Sequence, residues 1–426
     1  MKKRILYILA LAALAMLITA CAGAPRVDLP PIPEHGGIGV VVISATEWFD
    51  EHPDVVASYL RNYDNDYFYS YLEINPYMRV LFEGFGFALD YNSPRGHTFS
   101  MVGLDATGRY PFRLRANCFA CKSANYPAVR EAMGLDFYSV PFEELRSVMT
   151  QPVSCFNCHG NEPGEPRAMA VYVHNALPEA LGMGVSPASL ACAQCHVEYY
   201  FVPNSFEVKL PYASMLDMYP TAVLHYYNYY SLMPADHPTA PGRPFADYVN
   251  PRSGVRQIKV QHPEFETIYG RGAIHNSLAP MGMAFSCADC HMPRSENRAG
   301  VPYISHEWMS PFSNPQLIAG TCADCHGDLE GEVRAIQAEY MTRIHSLGNH
   351  LAELMERLVV AVESGRHTEA TLDEIRYTFR NAQFFWDWVV SENSNGAHNS
   401  RLLFRTMEYS WDYAREVEAL LNQIGH

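Results

Sequence analysis

Ten of the 11 cysteines in this chain fall into five Cys-x-x-Cys units: Cys118/Cys121, Cys155/Cys158, Cys192/Cys195, Cys287/Cys290 and Cys322/Cys325. Four units are followed at once by histidine, at His159, His196, His291 and His326, and the first is followed by Lys122. Paired cysteines also build zinc ribbons, but zinc does not need a histidine directly after the second thiol. Covalent haem does: the thiols add to the vinyl groups, and the next residue is then placed to ligate the iron. Only Cys21 is left over, so no pair remains for a structural disulfide. Lys122 is the anomaly. An amine must be neutral to bind a metal, and from a reference pKa near ~10.4 its deprotonation at pH 7 costs about 4–5 kcal/mol. The Fe–N bond and the proximity enforced by the thioethers must offset that. Lysine therefore points to altered electronics at one iron, since it donates σ density but cannot accept π density.

The 426 residues carry a formal charge of −15, with 27 Tyr and 29 Pro. That acidity argues against nucleic acid as a partner, and any positive potential offered to an anion must be local. Residues 1–20 read as a signal peptide, with a Lys2-Lys3-Arg4 head and an apolar run from Ile5 to Ile18. Small residues before Cys21 resemble a bacterial lipobox. Residues 21–46 are thus expected to be a Pro- and Gly-rich tether with a lipid anchor at Cys21. The protein is expected to be exported and membrane-attached on the extracytoplasmic or periplasmic face. Haem attachment requires export in either case, and no later segment approaches the length of a membrane span.

Residues 47–326 hold all five units and are expected to form a pentahaem catalytic core. Composition changes in 327–426, where Val333, Ile336, Tyr340, Ile344, Leu347, Leu351, Leu354 and Leu358 recur at helical steps. Gly365 is placed to end that helix. Thr371 and Glu374 form an apparent capping box for a second, with Ile375, Phe379, Ala382, Trp386 and Val389 on one face. After a break at Asn393 to Asn399, a last helix should reach about Ile424. The expected fold is mainly α: a multihaem cytochrome c with a loop-rich haem core, little β-structure, and long C-terminal helices for packing and dimerisation.

Several segments together resemble the pentahaem cytochrome c nitrite reductases, which reduce nitrite to ammonium. They are Asp-Tyr-Asn-x-Pro-Arg-Gly-His at 90–97, Cys-x-x-Cys-Lys at 118–122 and Cys-x-x-Cys-His-Val-Glu-Tyr-Tyr-Phe at 192–201. Lys-x-Gln-His-Pro-Glu at 259–264 and Cys-x-x-Cys-His-Met-Pro at 287–293 complete the set. The likeness runs from about Glu47 to the C-terminus and leaves the lipobox outside. It implies six-electron reduction at the first haem, with Lys122 as proximal ligand and the opposite face open, fed by four bis-histidine haems. It further implies His306 as distal ligand of the second haem, His97 of the third, His398 of the fourth and His275 of the fifth.

Around the open face the resemblance places Arg109, Tyr199 and His262. Nitrite is an anion that must lose oxygen as water, so such a site needs cationic hydrogen-bond donors and proton sources. Beside them it implies a calcium ion held by the Glu198 carboxylate, the Gln261 side chain and the carbonyls of Tyr199 and Lys259. Oxygen-only ligation suits calcium, and the ion would supply local positive charge. The implied partners are nitrite, a membrane quinol-oxidising cytochrome c subunit as electron donor, and a second copy in a homodimer. Two other readings stay open. One is a multihaem electron-transfer cytochrome without its own catalysis, which needs all five irons six-coordinate. The other is a related multihaem enzyme acting on hydroxylamine or sulfite.

Overall fold

The structure, a computed structural model, describes residues 42–64, 66–109, 114–177, 184–229, 244–270 and 285–426. The signal sequence, Cys21, most of the tether and His275 lie outside the described residues. A Cys-x-x-Cys spacing puts both thiols on one side of a helical turn, because residues three apart share a face. The second and fourth units accordingly sit on the short helices Cys155–His159 and Cys287–His291. The third straddles the end of Pro187–Ala193. Serines start all three, at Ser154, Ser186 and Ser286, and the last two accept backbone N–H groups of Ser189 and Asp289. The first unit occupies the 3-10 helix Ala116–Cys121, with Lys122 as its C-cap. The fifth begins at the end of a π-helical turn, Ile318–Cys322.

Strands among the described residues form only two-stranded antiparallel sheets: Tyr200–Phe201 with Val208–Lys209, Tyr248–Val249 with Arg256–Gln257, and Arg294–Glu296 with Pro302–Ile304. The first hairpin starts directly after Glu198-Tyr199. The second feeds directly into Lys259 to His262. Between them they bring those two segments side by side, which the hydrogen bond from Gln261 N–H to Glu198 Oε2 (2.6 Å) records.

Three long helices follow, Leu329–Glu363, Glu369–Ser391 and Ser400–Gln423. The first is about 50 Å long at 1.5 Å per residue, and Gly365, at φ +62°, closes it. Its apolar stripe is buried within the chain, including Tyr340, Ile344, Leu347, Leu351, Leu354 and Leu358. The stripe is consumed by intramolecular packing and gives no argument for a dimer. Gly348 is where the Tyr77–Leu81 helix crosses: a Cβ there would lie 2.4 Å from the Tyr77 ring.

The second helix starts one turn before the expected cap. Thr368, not Thr371, is the N-cap, and its hydroxyl accepts the N–H of Thr371 at 3.2 Å. Either threonine could cap; the earlier one adds a helical turn. From Thr378 to Val389 every residue is buried, including Arg380, Asn381, Gln383 and Asp387. This helix therefore has no solvent face over that stretch. It is sandwiched between its two long neighbours, the Pro220–Tyr229 helix and the Arg256–Gln257 strand. Two of its polar residues reach the second hairpin and the segment after it: Arg380 donates to Arg256 O (2.8 Å), and Asp387 binds Lys259; Asn381 instead accepts from Asn228 Nδ2. No helix of the described residues is long and apolar enough to cross a membrane.

Candidate active site

All ten described cysteines are unbridged. Among the described residues no three His, Cys, Asp or Glu side chains converge as one metal-binding group, so the cysteine pairs do not form a zinc-ribbon cluster. Instead neighbouring units meet in pairs, Cys121 beside Cys195 and Cys192 beside Cys287. The histidines behave differently. His97 and His196 have ring centroids 6.2 Å apart, His159 and His306 6.1 Å, and His291 and His398 6.2 Å. Two imidazoles bonded to one metal ion at about 2 Å each stand with their centroids roughly 6 Å apart. These are the partners expected for the third, second and fourth haems. The expected partner of His326, His275, lies outside the described residues.

Cys325, expected to attach the fifth haem with Cys322, lies at the surface. It is exposed, whereas the other nine described cysteines are at least partly covered, and its neighbours Ala323, Asp324 and Gly327 are exposed with it. The reason is its place in the chain. Cys325 lies on the turn that joins the Ile318–Cys322 π-helix to the Leu329–Glu363 helix, at the outer end of the core rather than between its elements. Thioether formation requires a thiol that the haem edge can reach, not a buried one, so Cys325 keeps its place beside Cys322 but makes the fifth unit a peripheral one.

The imidazoles are held by their second nitrogens. His306 Nδ1 meets Ile304 O at 3.0 Å, His291 Nδ1 meets Met309 O at 2.9 Å, and His398 Nδ1 meets Glu392 Oε1 at 2.5 Å. His97 Nδ1 is buried without a hydrogen-bond partner. His196 is desolvated by surrounding chain, yet its side chain is 46% accessible. Unbridged thiol pairs and neighbouring imidazoles fit covalently held haem.

Arg109, Lys122, Tyr199 and His262 gather at the first unit. The Arg109 guanidinium lies 4.5 Å from the Phe87 ring centroid, and its Nε donates to Thr107 Oγ1 at 3.0 Å. That hydroxyl in turn donates to Asp90 Oδ2 at 3.0 Å. The Arg109 charge pulls on the Cys118 thiol, which burial pushes up. Tyr199 is kept well above its ordinary pKa by burial and then by the neighbouring Cys121 and Cys118 thiols, so its phenol stays protonated. His262 is lowered to about 4, chiefly because burial disfavours its charged form, with Glu264 pulling the other way. Asn393 Nδ2 faces His262 Nδ1 at 3.4 Å. An amide N–H there leaves the imidazole proton on Nε2. His262 is thus a neutral donor, and the cationic duty falls on Arg109.

The oxygen-rich side of the site is built on Glu198, which is fully buried. Its Oε1 accepts from Tyr227 OH at 2.9 Å and its Oε2 from Gln261 N. Gln261 Nε2 donates to Lys259 O at 3.0 Å, which sets the Gln261 side chain beside the Lys259 carbonyl. Tyr199, whose carbonyl is the remaining expected ligand, directly follows Glu198. Burial, then the neighbouring Glu266 and Asp247 carboxylates, push Glu198 well up. Burial likewise raises Glu266 to about 8 and Asp247 to about 7. Buried carboxyls that are costly to ionise alone, set beside backbone and side-chain oxygens, suit a hard divalent cation that would offset their charge.

Glu264, Glu392, Asn393, Asp387 and Tyr227 were not expected from sequence. Only Glu264 carried a signal, as the last member of the 259–264 segment.

The family described as cytochrome c552 matches residues 46–425. Proteins named cytochrome c-552 are similar along most of this chain. The one from Maridesulfovibrio salexigens is 29% identical over 378 residues, covering 82% of this chain and 70% of its own. That from Parabacteroides distasonis is 30% identical over 370 residues, covering 81% and 68%. Among solved structures, the catalytic subunit of cytochrome c nitrite reductase from Desulfovibrio desulfuricans superposes with a TM-score of 0.76. It is 25% identical, covers 89% of this chain and 86% of its own, and is described with two calcium sites.

Proposed function

The chain belongs to the cytochrome c552 family, and on that premise we propose how its residues divide the work of reducing nitrite. It is a nitrite-reducing oxidoreductase carrying covalently bound c-type haems. Five haems are assigned to the five Cys-x-x-Cys units. Lys122 serves the first, His159 and His306 the second, His196 and His97 the third, His291 and His398 the fourth, and His326 and His275 the fifth. One observation carries the assignment: His97, His306 and His398 each stand 6.1 to 6.2 Å from the histidine of a His-bearing unit, whereas the first unit offers an amine; His262, equally near His196 at 6.2 Å, is kept for the substrate side by the family resemblance.

When bound, the haem at Cys118/Cys121 supplies an iron for the nitrite nitrogen, and the others supply electrons. The chain does the rest. Arg109, tethered through Thr107 and Asp90, neutralises the anion and donates to its oxygens. The Tyr199 phenol and the neutral His262 Nε2–H donate hydrogen bonds to the substrate oxygens, and the protons with which each oxygen leaves as water come from solvent. Glu198, Gln261 and the carbonyls of Tyr199 and Lys259 hold calcium, supported by the buried carboxylates around Glu198 and by the calcium sites described for the D. desulfuricans protein. The ion locks the Glu198-Tyr199 and Lys259–His262 segments together.

The protein works outside the cytoplasm, with a lipid anchor at Cys21, residues 21–46 as tether, 47–326 as core and 327–426 as helical support. A separate quinol-oxidising cytochrome c subunit supplies the electrons, and the family resemblance supports a homodimer. Steady-state nitrite reduction with reduced viologen, with ammonium quantified, tests the reading. Reduction of the haems by viologen without nitrite consumption would leave the electron-transfer cytochrome and the enzyme acting on hydroxylamine or sulfite.

A further inference from the structure

Two buried carboxylates have no place in the scheme above. Glu392, the C-cap of the Glu369–Ser391 helix, is fully buried. Its Oε1 binds His398 Nδ1 at 2.5 Å, and its Oε2 accepts from Ser394 N–H (3.1 Å) and Ser394 Oγ (2.6 Å). Glu264 is the first residue of the Glu264–Tyr269 helix, with a side chain only 7% exposed. Its Oε1 accepts from Asn393 N–H at 3.2 Å and from Asn393 Nδ2. Its Oε2 is buried without a hydrogen-bond partner and faces His196 Nδ1 at 3.7 Å. That is too long for a hydrogen bond, but it is within ion-pair distance, and Oε2 has no competing hydrogen-bond partner. Both carboxylates therefore address the outer nitrogen of a proposed haem ligand. His306 and His291 instead meet neutral backbone carbonyls.

We infer that Glu264 and Glu392 are positioning residues that hold the third and fourth haems at lower potential than the second. The inference rests on the ligand assignments proposed above. A carboxylate on the outer N–H makes a charge-assisted bond, raises the basicity of the ligating nitrogen and fixes the ring. A more basic ligand and a nearby negative charge both favour the ferric over the ferrous state. The arrangement has a direction. The third unit adjoins the first through Cys121 and Cys195, so the lowered haem borders the site where electrons are consumed. Asn393 joins the system to catalysis, since its amide serves both Glu264 Oε1 and His262 Nδ1.

The test is a redox titration of the haem-loaded, full-length protein followed by electron paramagnetic resonance. E264Q should move the midpoint of the His196 haem to more positive potential, and E392Q that of the His398 haem, with the other low-spin haems unmoved. E264D and E392D keep the charge and should fall nearer the wild type. Gln variants with five haems and four low-spin signals, but wild-type midpoints, would overturn the inference. Should a Gln variant fail to load, the wild type itself decides. The His159/His306 haem must become reduced at a higher potential than those of His196 and His398, and the reverse order overturns the inference. H398A should convert one low-spin haem to high spin and so identify the fourth haem. An unchanged low-spin count would sink the ligand assignment, and this inference with it, while unmoved midpoints beside a changed count would sink this inference alone.

Discussion

The Lys259–Asp387 pair ties a C-terminal helix to the site through a buried charge, and Asp387→Asn tests that link. Lys259 Nζ contacts the two carboxylate oxygens at 2.9 and 3.1 Å and Ser391 Oγ at 2.7 Å, with side-chain exposures of 2% and 0% for the pair. Asp387 Oδ2 also accepts from Val260 N–H at 2.8 Å. Burial pushes Asp387 up although Lys259 pulls it down, whereas Asp387 lifts Lys259 despite burial. The geometry favours the ion pair: the ammonium addresses both oxygens, and Oδ2 also takes the Val260 N–H. Asparagine preserves the shape but leaves a buried ammonium among neutral acceptors, which for a broken buried pair costs about 3–5 kcal/mol.

The midpoint of guanidinium unfolding, followed by far-ultraviolet circular dichroism, should fall by a matching amount. Nitrite turnover should fall with it, because the Lys259 carbonyl and Gln261 lose their support. Replacing both partners, as Lys259→Met with Asp387→Leu, should recover much of the stability, since apolar replacement of a buried pair is often nearly neutral. A loss of under about 1 kcal/mol for the single variant, well below the cost of an uncompensated buried charge, would refute the reasoning.

Glu198→Ala should retain five haems, lose bound calcium by metal analysis and lose most nitrite turnover; wild-type protein purified free of calcium would sink the assignment. Lys122→His should still load five haems, because it creates an ordinary attachment unit, while turnover falls sharply; undiminished turnover would remove the claim that lysine matters to the chemistry. Gly348→Ala puts a methyl 2.4 Å from the Tyr77 ring, and overpacking of this kind costs about 1–3 kcal/mol. An unchanged thermal midpoint would show that the helix crossing yields freely. Cys21→Ser should release the protein from membranes without reducing its haem content; a variant still bound after high-salt washing would count against the lipid anchor.

What the sequence determined alone is the chemistry written in contiguous residues. A Cys-x-x-Cys-His unit carries its attachment sites and one ligand within five positions, so its meaning does not depend on the fold. Its depth does: Cys325 reads in sequence like the second thiol of any other unit, yet it alone among the described cysteines is exposed. Amphipathic periodicity is equally local, and the three C-terminal helices stand where it put them, with the second starting a turn early. Which histidine faces which unit is a different kind of fact. The residues offered His97, His306 and His398 without partners, only family resemblance paired them, and the fold alone sets each at about 6 Å from its opposite ring.

The polar residues of the Glu369–Ser391 helix show the limit most clearly. Arg380, Asn381, Gln383 and Asp387 lie off the apolar face, yet all four are buried. The Pro220–Tyr229 helix and the 256–260 segment bring Asn228, the Arg256 carbonyl and Lys259 to Arg380, Asn381 and Asp387, whereas the Gln383 amide is buried without a hydrogen-bond partner. Glu264 and Glu392 belong to the same class. A glutamate says nothing about its task until the fold decides whether it meets water, a lysine or the back of an imidazole, because the strength of a charge interaction is set by its surroundings rather than by the residue that bears it.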